Sequence, residues 1–550
     1  MRFLPVSLNA LLVELADLDQ TLALLASLQR DPLPGVEELV PAARTILVRF
    51  RPTACSLAQL MQAIAARDLS RRAERTASLV EIPVHYHGED LAEVALLLGI
   101  TPEEVVRRHT GSEYTVAFTG FAPGFAYLAG GHPSFNVPRR ATPRTRIPAG
   151  AVGLAGAFSG VYPQASPGGW QIIGVTPVAM WDLGRAQPAL LQPGYRVRFV
   201  DIATLGAAAG SAGAWAQAVT ATAVPAASER SRDALAPGQT ALQVKATGLL
   251  TVFQDLGRHG QAGQGVSASG AMDQAALKAA NRLVGNASGV AALETVGGGL
   301  QLQSLGETVV AVTGADAPLA VKAADGRRWT VPGHQAVALA DGDVLGIGRP
   351  VAGARSYVAA RGGFAVAPVL GSCATDTLAN VGPAPLAVGD VLGLRPAPAG
   401  AVVGEPVLPA ADLPALEQDV VLDVVMGPRT DWFTPAAVAR LAAQRWQVTP
   451  QSNRVGLRLA GEMPLERAVG GELPSEGTAL GALQVPPSGQ PVLFLADHPL
   501  TGGYPVIATV APHHLDRAGQ IPVGAWLRFR PIRAFEDLSP AAASGEAGTL

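Results

Sequence analysis

The chain is 550 residues long, with 48% hydrophobic and 15% charged residues and a formal net charge of −3. At roughly 150 residues per domain this length holds about three or four folding units, each able to bury its own core. The composition excludes disorder over most of the chain, and the near-balanced charge, with no Lys/Arg run interleaved with aromatics, excludes a nucleic-acid surface.

Lysine occurs only at Lys245, Lys278 and Lys322, so phosphate contacts in the first half fall to arginines, hydroxyls or backbone N–H groups. Cys55 and Cys373 form no CxxC or ligand cluster, which reads as a reduced, cytoplasmic protein. The N-terminus lacks a basic region followed by an apolar core and a cleavage site, so no signal peptide is expected. Apolar stretches such as Leu91 to Ile100 fall short of the ~18–20 residues that span a membrane, so no membrane contact is expected.

Residues 1–80 alternate helix and strand signals and predict a small α/β domain. Its elements are a helix over Leu22 to Leu28, a buried strand TILVRF (45–50) and a helix over Leu57 to Ala66. Residues 81–205 begin with a strand signal, VEIPVHY, and continue with helices over Leu91 to Leu98 and Pro102 to His109. The second has Thr101 as N-cap, Pro102 in its first turn and Glu104 three residues after the cap. Short strands between Gly/Pro turns follow (YTVAFTGF, WQIIGVTPV, YRVRFVDI), the pattern of a barrel or closed sandwich.

Residues 206–238 are rich in Ala, Gly, Ser and Pro and read as a linker. Residues 239–537 are β-rich again, with helices over Asp273 to Val284 and Pro435 to Gln444, and read as the second large body of the chain. Two similar turn clusters, DGDVLGIG (341–348) and VGDVLGL (388–394), each read as one strand pair of a barrel. Residues 538–550 read as a flexible tail.

The chain has no GxxxxGK[ST] loop, no GxGxxG after a strand, no HExxH and no GxSxG elbow. His85 and His87 share one face of a strand, but no third ligand is evident, so they read as pocket wall or surface and no metal is expected.

Specific strings in both halves resemble one family. In the first half they are GFAPGFAYL (120–128), PR (143–144), IPAG (147–150), YP (162–163) and SPGGW (166–170). These resemble the B subunit of 5-oxoprolinase, which is KipI-like and also called allophanate hydrolase subunit 1. In the second half FQDLGRHG (253–260), GAMD (270–273), TGAD (313–316), ARGGF (360–364), SNRVGLR (452–458), SEG (475–477), QVPP (484–487) and TGGYP (501–505) resemble the C subunit, which is KipA-like. The chain is therefore identified as a fused member of the 5-oxoprolinase/urea amidolyase family.

The resemblance implies a β-rich α+β chain with a cyclophilin-like β-barrel in each half, the first preceded by the small α/β domain. It implies an ATP-hydrolysing lactam hydrolase component, working with a separate A subunit of the LamB/YcsF type and dependent on it for activity. ATP with Mg²⁺ would serve as a substrate, with no covalent cofactor and no biotin attachment site in this chain. Self-association is compatible with this reading.

Within that reading Ser166, Gly168, Gly169 and Trp170 would bring backbone N–H groups to a phosphate, with Arg139 and Arg144 as guanidinium forks; the alternative is a tight hairpin with solvated arginines. Phe125 and Tyr127 would floor a ring pocket or else be barrel core, and His85 would line a polar wall. Asp255 with Arg258, Asp316, Arg454 with Asn453, and Tyr504 are the candidate catalytic residues; each can equally cap a turn or pack. Glu294 is either a site residue or the structural partner of an arginine.

Two other functions compete. A carboxyltransferase acting on urea would need carboxybiotin delivered by another protein. A KipI-type regulator of a sensor histidine kinase is disfavoured, because fusion holds inhibitor and antagonist at a permanently high effective concentration.

Overall fold

The computed structural model describes residues 1–70, 78–140, 142, 144–205, 239–471 and 473–539. The expected linker, residues 206–238, and tail residues 540–550 lie outside the described residues, as does Pro143. No described helix is long and apolar enough to cross a membrane.

Strands Arg2–Ser7, Ala10–Glu14, Thr45–Phe50 and Val36–Pro41 form, in that order, a four-stranded antiparallel sheet. Helix Leu18–Arg30 runs longer than its apolar core suggests, because Asp17 caps it by accepting from the Gln20 N–H at 2.9 Å. Helix Leu57–Ala65 carries a reciprocal Ser56–Gln59 capping box. Strand alternation divides TILVRF: Ile46, Val48 and Phe50 pack with Leu24, Leu60 and Ile64 of the two helices. Leu47 lies on the opposite face with Leu4, Leu12 and Val40, packed against Ala262 and Leu500 of the second half. Arg49 shares that second face, so the strand's period aims a guanidinium at the boundary between the halves.

The next unit is a seven-stranded sheet of Leu79–Val84, Glu113–Thr119, Ala126–Ala129, Ala151–Ala155, Phe158–Val161, Gln171–Val175 and Arg196–Asp201. A His85–Val175 bridge joins its two edges into a barrel. The first and last strands run parallel and all other neighbours antiparallel. Helix Pro102–Thr110 starts as expected, with Thr101 accepting from the Glu104 N–H at 3.2 Å. The Glu104 carboxylate does not close the box; it takes Arg107 and Arg108, each at 2.7 Å.

The 239–537 segment holds two bodies of sheet. The first is a sandwich of a six-stranded and a five-stranded sheet, built from strands between Ala241 and Gly393. Both turn clusters fall in its six-stranded sheet, as the single strands Val344–Ile347 and Val391–Gly393 rather than as strand pairs of a barrel. Their likeness is one turn made twice. Asp343 accepts from the Ala340 N–H at 2.9 Å and Asp390 from the Ala387 N–H at 2.7 Å, each after a glycine in the left-handed region.

The second body is a closed barrel of Asp419–Met426, Trp446–Val448, Gly456–Ala460, Ala482–Gln484, Val492–Phe494, Val506–Val510 and Trp526–Arg533. Around both barrels the strands run first, seventh, second, third, fifth, fourth, sixth, with first and seventh parallel. Each barrel also carries a two-stranded accessory pair, Arg144–Ile147 with Ser166–Gly168 and Glu476–Gly477 with Thr501–Gly502. The SPGGW and TGGY strings thus occupy equivalent places in two copies of one fold.

Hydrogen bonds join the halves at several points, including Ala43 N–H to Ser475 O at 3.1 Å and Gly124 N–H to Gln264 O at 3.0 Å. The buried Arg429 guanidinium bonds both Glu476 of the second barrel and, at 2.9 Å, Glu14 of the N-terminal sheet.

Candidate functional site

Where the sandwich meets the second barrel, charged groups are buried together. The Arg454 side chain is 1% exposed and those of Glu294 and Asp497 are 0% exposed. Arg454 Nε donates to Asp497 Oδ2 at 2.9 Å, Nη2 to Asp497 Oδ1 at 3.0 Å and to Gly270 O at 2.7 Å, and Nη1 to Glu294. Glu294 also accepts from Tyr357 Oη at 2.7 Å and from the Met272 N–H at 3.0 Å, and Asp497 from Ser269 Oγ at 2.6 Å and Thr377 Oγ1 at 2.7 Å. Each carboxylate is met by a guanidinium and by further donors, the condition under which buried charge is tolerated.

Asp273 lies beside this cluster as N-cap of helix Gln274–Leu283, accepting from Ala276 N–H and Gln520 Nε2, both at 2.8 Å. Burial pushes its carboxyl up to about 6, against the pull of these two donors. A raised acid binds its proton in the folded state between pH ~4 and ~6, where the unfolded state has released it, so its contribution to stability is lost as pH rises through that window. Asp273→Asn is therefore expected to gain about 2–3 kcal/mol relative to wild type between pH 4 and pH 7.5. Urea titrations at the two pH values check this; a constant difference between the proteins would refute it.

A cleft opens above the cluster, walled by three units. The N-terminal sheet contributes Val40, Leu47 and Arg49; the sandwich unit His259, Ser269, Lys278 and Arg282; the second barrel Thr478, His498, Leu500 and Asp516. An outer compartment of about 450 Å³ and an inner one of about 130 Å³ share Arg49, Gln274, Leu480, Ala496 and Leu515. Arg49 Nη2 lies 3.3 Å from His259 Nδ1, and His259 Nε2 lies 3.1 Å from Leu256 O. The carbonyl fixes the proton on Nε2, leaving Nδ1 to accept from the arginine. Lys278 and Arg282 stand four residues apart on one helix and so project to one side.

His498 lines the inner compartment. Its Nδ1 lies 2.9 Å from Pro499 O, which only accepts, so Nδ1 carries the proton and Nε2 presents a lone pair. Burial, with nearby Arg49, holds this imidazole below its ordinary value against the pull of the Pro499 carbonyl and Asp497, so it is neutral at pH 7.

Residues 1–191 match the family model described as carboxyltransferase domain, subdomain C and D; residues 264–531 match that for subdomain A and B. The chain is 46% identical over 156 residues to the B subunit of 5-oxoprolinase from Haemophilus influenzae, covering 28% of this chain and 70% of that protein. It is 34% identical over 291 residues to the C subunit of 5-oxoprolinase from Escherichia coli K12, covering 52% of this chain and 90% of that protein. The chain belongs to the 5-oxoprolinase/urea amidolyase family, as a fusion of its B and C subunits. The solved structure of TTHA0988 agrees along nearly the whole length, with a TM-score of 0.76 at 34% identity over 95% of this chain and 99% of that one.

In these terms Arg49 of the B half faces Lys278, Arg282, His259 and His498 of the C half across one cleft. Of the residues singled out in the B half, Arg144 forks onto Asp90 at 2.6 and 2.8 Å, alongside Arg140 at 2.7 Å and the Ile172 N–H at 2.6 Å. Burial raises the Asp90 carboxyl, but these donors outweigh it and hold it below the ordinary range. Phe125, Tyr127 and Trp170 pack with Tyr162, Ala42 and Ala43 in a cluster on the opposite face of the sheet from the barrel core of Val116, Leu128 and Ile173. Gly168 lies against the Tyr162 hydroxyl, where a Cβ would collide. Ser166 Oγ is buried without a partner among the described residues, Gly169 O accepts from the Arg140 N–H at 2.8 Å, and Arg139 Nη1 would lie 2.6 Å from a Cβ at Gly503. His85 is exposed at the barrel seam.

Of those in the C half, Arg454 is in the buried cluster and Arg258 is buried beside it, donating to Ala374 O. Asp255 caps a turn, accepting from Ser372 Oγ and the Cys373 N–H, both at 2.6 Å. Asn453 Oδ1 closes its own turn on the Val455 N–H at 2.9 Å, Asp316 is exposed at a strand end, and the Tyr504 ring lies under Arg467. None of these lines the cleft.

Asp423, His513 and His514 come within 4.8 Å of one another on the second barrel. Arg530 already bonds Asp423 at 2.6 Å, and His514 Nδ1 accepts from the Asp423 N–H at 2.9 Å.

Proposed function

We propose that this chain is the B–C component of an ATP-dependent 5-oxoprolinase, opening the 5-oxoproline lactam to glutamate together with a separate A subunit of the LamB/YcsF type, in the cytoplasm. The observation that carries the reading is the single cationic cleft walled by both halves, in a chain whose halves resemble proteins named as the B and C subunits of 5-oxoprolinase.

The chemistry explains the need for such a cleft. An amide carbon resists water. Transfer of the γ-phosphoryl group of Mg²⁺-ATP to the lactam oxygen releases ADP and makes that carbon electrophilic. Water adds there as a base takes its proton, and the protonated ring nitrogen leaves, giving γ-glutamyl phosphate. A second water then releases phosphate and glutamate. Cations stabilise the phosphoryl oxygens, and a neutral imidazole is suited to the proton transfer. In this reading His498 Nε2 is the proton acceptor and Arg49 contacts the transferred phosphoryl group.

Mixing the chain with ATP, Mg²⁺, 5-oxoproline and the A subunit is expected to yield glutamate and ADP together. ADP without glutamate would move the substrate to another lactam or amide. The carboxyltransferase description of the matched family models favours one second reading, carboxyl transfer to an amide from carboxybiotin held on another protein. That reaction on this chain would consume carboxybiotin and form no glutamate.

A further inference from the structure

The two compartments of the cleft differ in lining. The outer one carries Arg49, Lys278 and Arg282 against one acid, Asp516. Asp516 is already engaged, accepting from the Gln274 and Ala275 N–H groups at 2.9 and 3.3 Å. Lys278 and Arg282 make no ion pair among the described residues. The inner compartment is smaller, with Val40, Leu47, Ala479 and Leu500 on its apolar side and Ser7, Asn9, Thr478 and His498 among its polar groups; Glu38, its acid, lies 3.9 Å from Arg49. Arg49 lines both.

We propose that the outer compartment binds the phosphate chain of a nucleoside triphosphate and the inner one the small lactam ring, so that Arg49 at the threshold meets the terminal phosphate. This assignment rests on the ATP-dependent reading above. Arg49 is met by Glu37 at 3.7 Å and Glu38 at 3.9 Å, while Lys278 and Arg282 carry no such partner among the described residues; a polyphosphate spans the opening and meets all three cations in a way a single carboxylate does not. The inner space, with an apolar side faced by short hydroxyl, amide and imidazole groups, suits a small ring that carries both donors and acceptors, as a lactam does. The other large junction cavity, about 840 Å³ between the Trp181 to Pro188 loop and residues 368–385, has Asp182 and Asp376 against Arg185. It offers a phosphate chain one guanidinium where the cleft offers three cations.

The test titrates inorganic tripolyphosphate into the full chain by calorimetry, for wild type and for Lys278→Glu/Arg282→Glu. Both side chains sit at the helix surface, so the variant should keep the wild-type circular dichroism. Wild type is expected to bind and the variant to bind at least tenfold more weakly. In the complex with the A subunit, the variant should raise the KM for ATP at least tenfold and leave the KM for 5-oxoproline unchanged. No binding by wild type, or equal binding by both proteins, overturns the assignment. If glutamate forms at an unchanged KM for ATP, the phosphate site is wrong and the oxoprolinase reading stands. If tripolyphosphate binding is lost in the variant but wild type makes no glutamate, the site stands and the reading fails.

Discussion

Arg454→Met is expected to destabilise the second half by about 3–5 kcal/mol, because it leaves Glu294 and Asp497 buried without their common cation. Both carboxylates are fully enclosed, and their remaining donors do not carry charge, apart from Arg355 at 3.7 Å from Glu294. The loss should appear as a lower urea midpoint, the two bodies still being joined by bonds such as Gln520 to Asp273 and the Gln274 N–H to Asp516. Neutralising the carboxylates as well, in Arg454→Met/Glu294→Gln/Asp497→Asn, should recover part of the loss, because uncompensated charge is the main cost. A loss below about 1 kcal/mol in the single variant would show that the cluster does not hold the two bodies together.

The second large effect is on rate. In the complex with the LamB/YcsF-type protein, His498→Gln is expected to lower kcat by about 10²–10⁴-fold with little change in the KM for either substrate. Glutamine still donates toward Pro499 O but offers no basic nitrogen, so folding and binding should survive. The pH profile supplies the sign. His498 acts as a base only when neutral, and its imidazole sits below the ordinary 6.5. Wild-type kcat should therefore be level above pH 7 and fall on the acid side, below 6.5. The variant should lose that acid limb along with the rate. An unchanged kcat, or an unchanged limb, would place the proton acceptor elsewhere.

Local patterns made much of the architecture legible. The apolar run TILVRF showed a buried strand, though not that Arg49 lies on the face opposite Ile46, Val48 and Phe50. The helix carrying Lys278 and Arg282 was expected over Asp273 to Val284 and runs from Gln274 to Leu283 with Asp273 as its cap, and Thr101-Pro102 marked another helix start. The cleft was not readable, because its walls come from sheet, helix and barrel segments hundreds of residues apart. Arg454 and Glu294 are separated by 160 positions, and nothing in SNRVGLR names its partner. Short polar residues a few positions ahead of a glycine misdirect for a definite reason: Asp255 and Asn453 suit a ligand and a turn equally well, and both close turns. Gly168 shows the same ambiguity, since the residue that would admit a phosphate is here required by the Tyr162 hydroxyl. A barrel in each half was expected from the family strings and is present, but their strands of three to five residues carry too little period to show it, and SPGGW and TGGY were both singled out without being aligned.

The central claim is that one reaction site is built jointly by the B and C halves. The most direct test prepares the halves as separate proteins and assays each with ATP, Mg²⁺, 5-oxoproline and the LamB/YcsF-type protein, then assays the mixture. The account predicts no glutamate and no lactam-dependent ADP from either half alone, and one ADP per glutamate once both are present. Full turnover by a single half with the LamB/YcsF-type protein would contradict it.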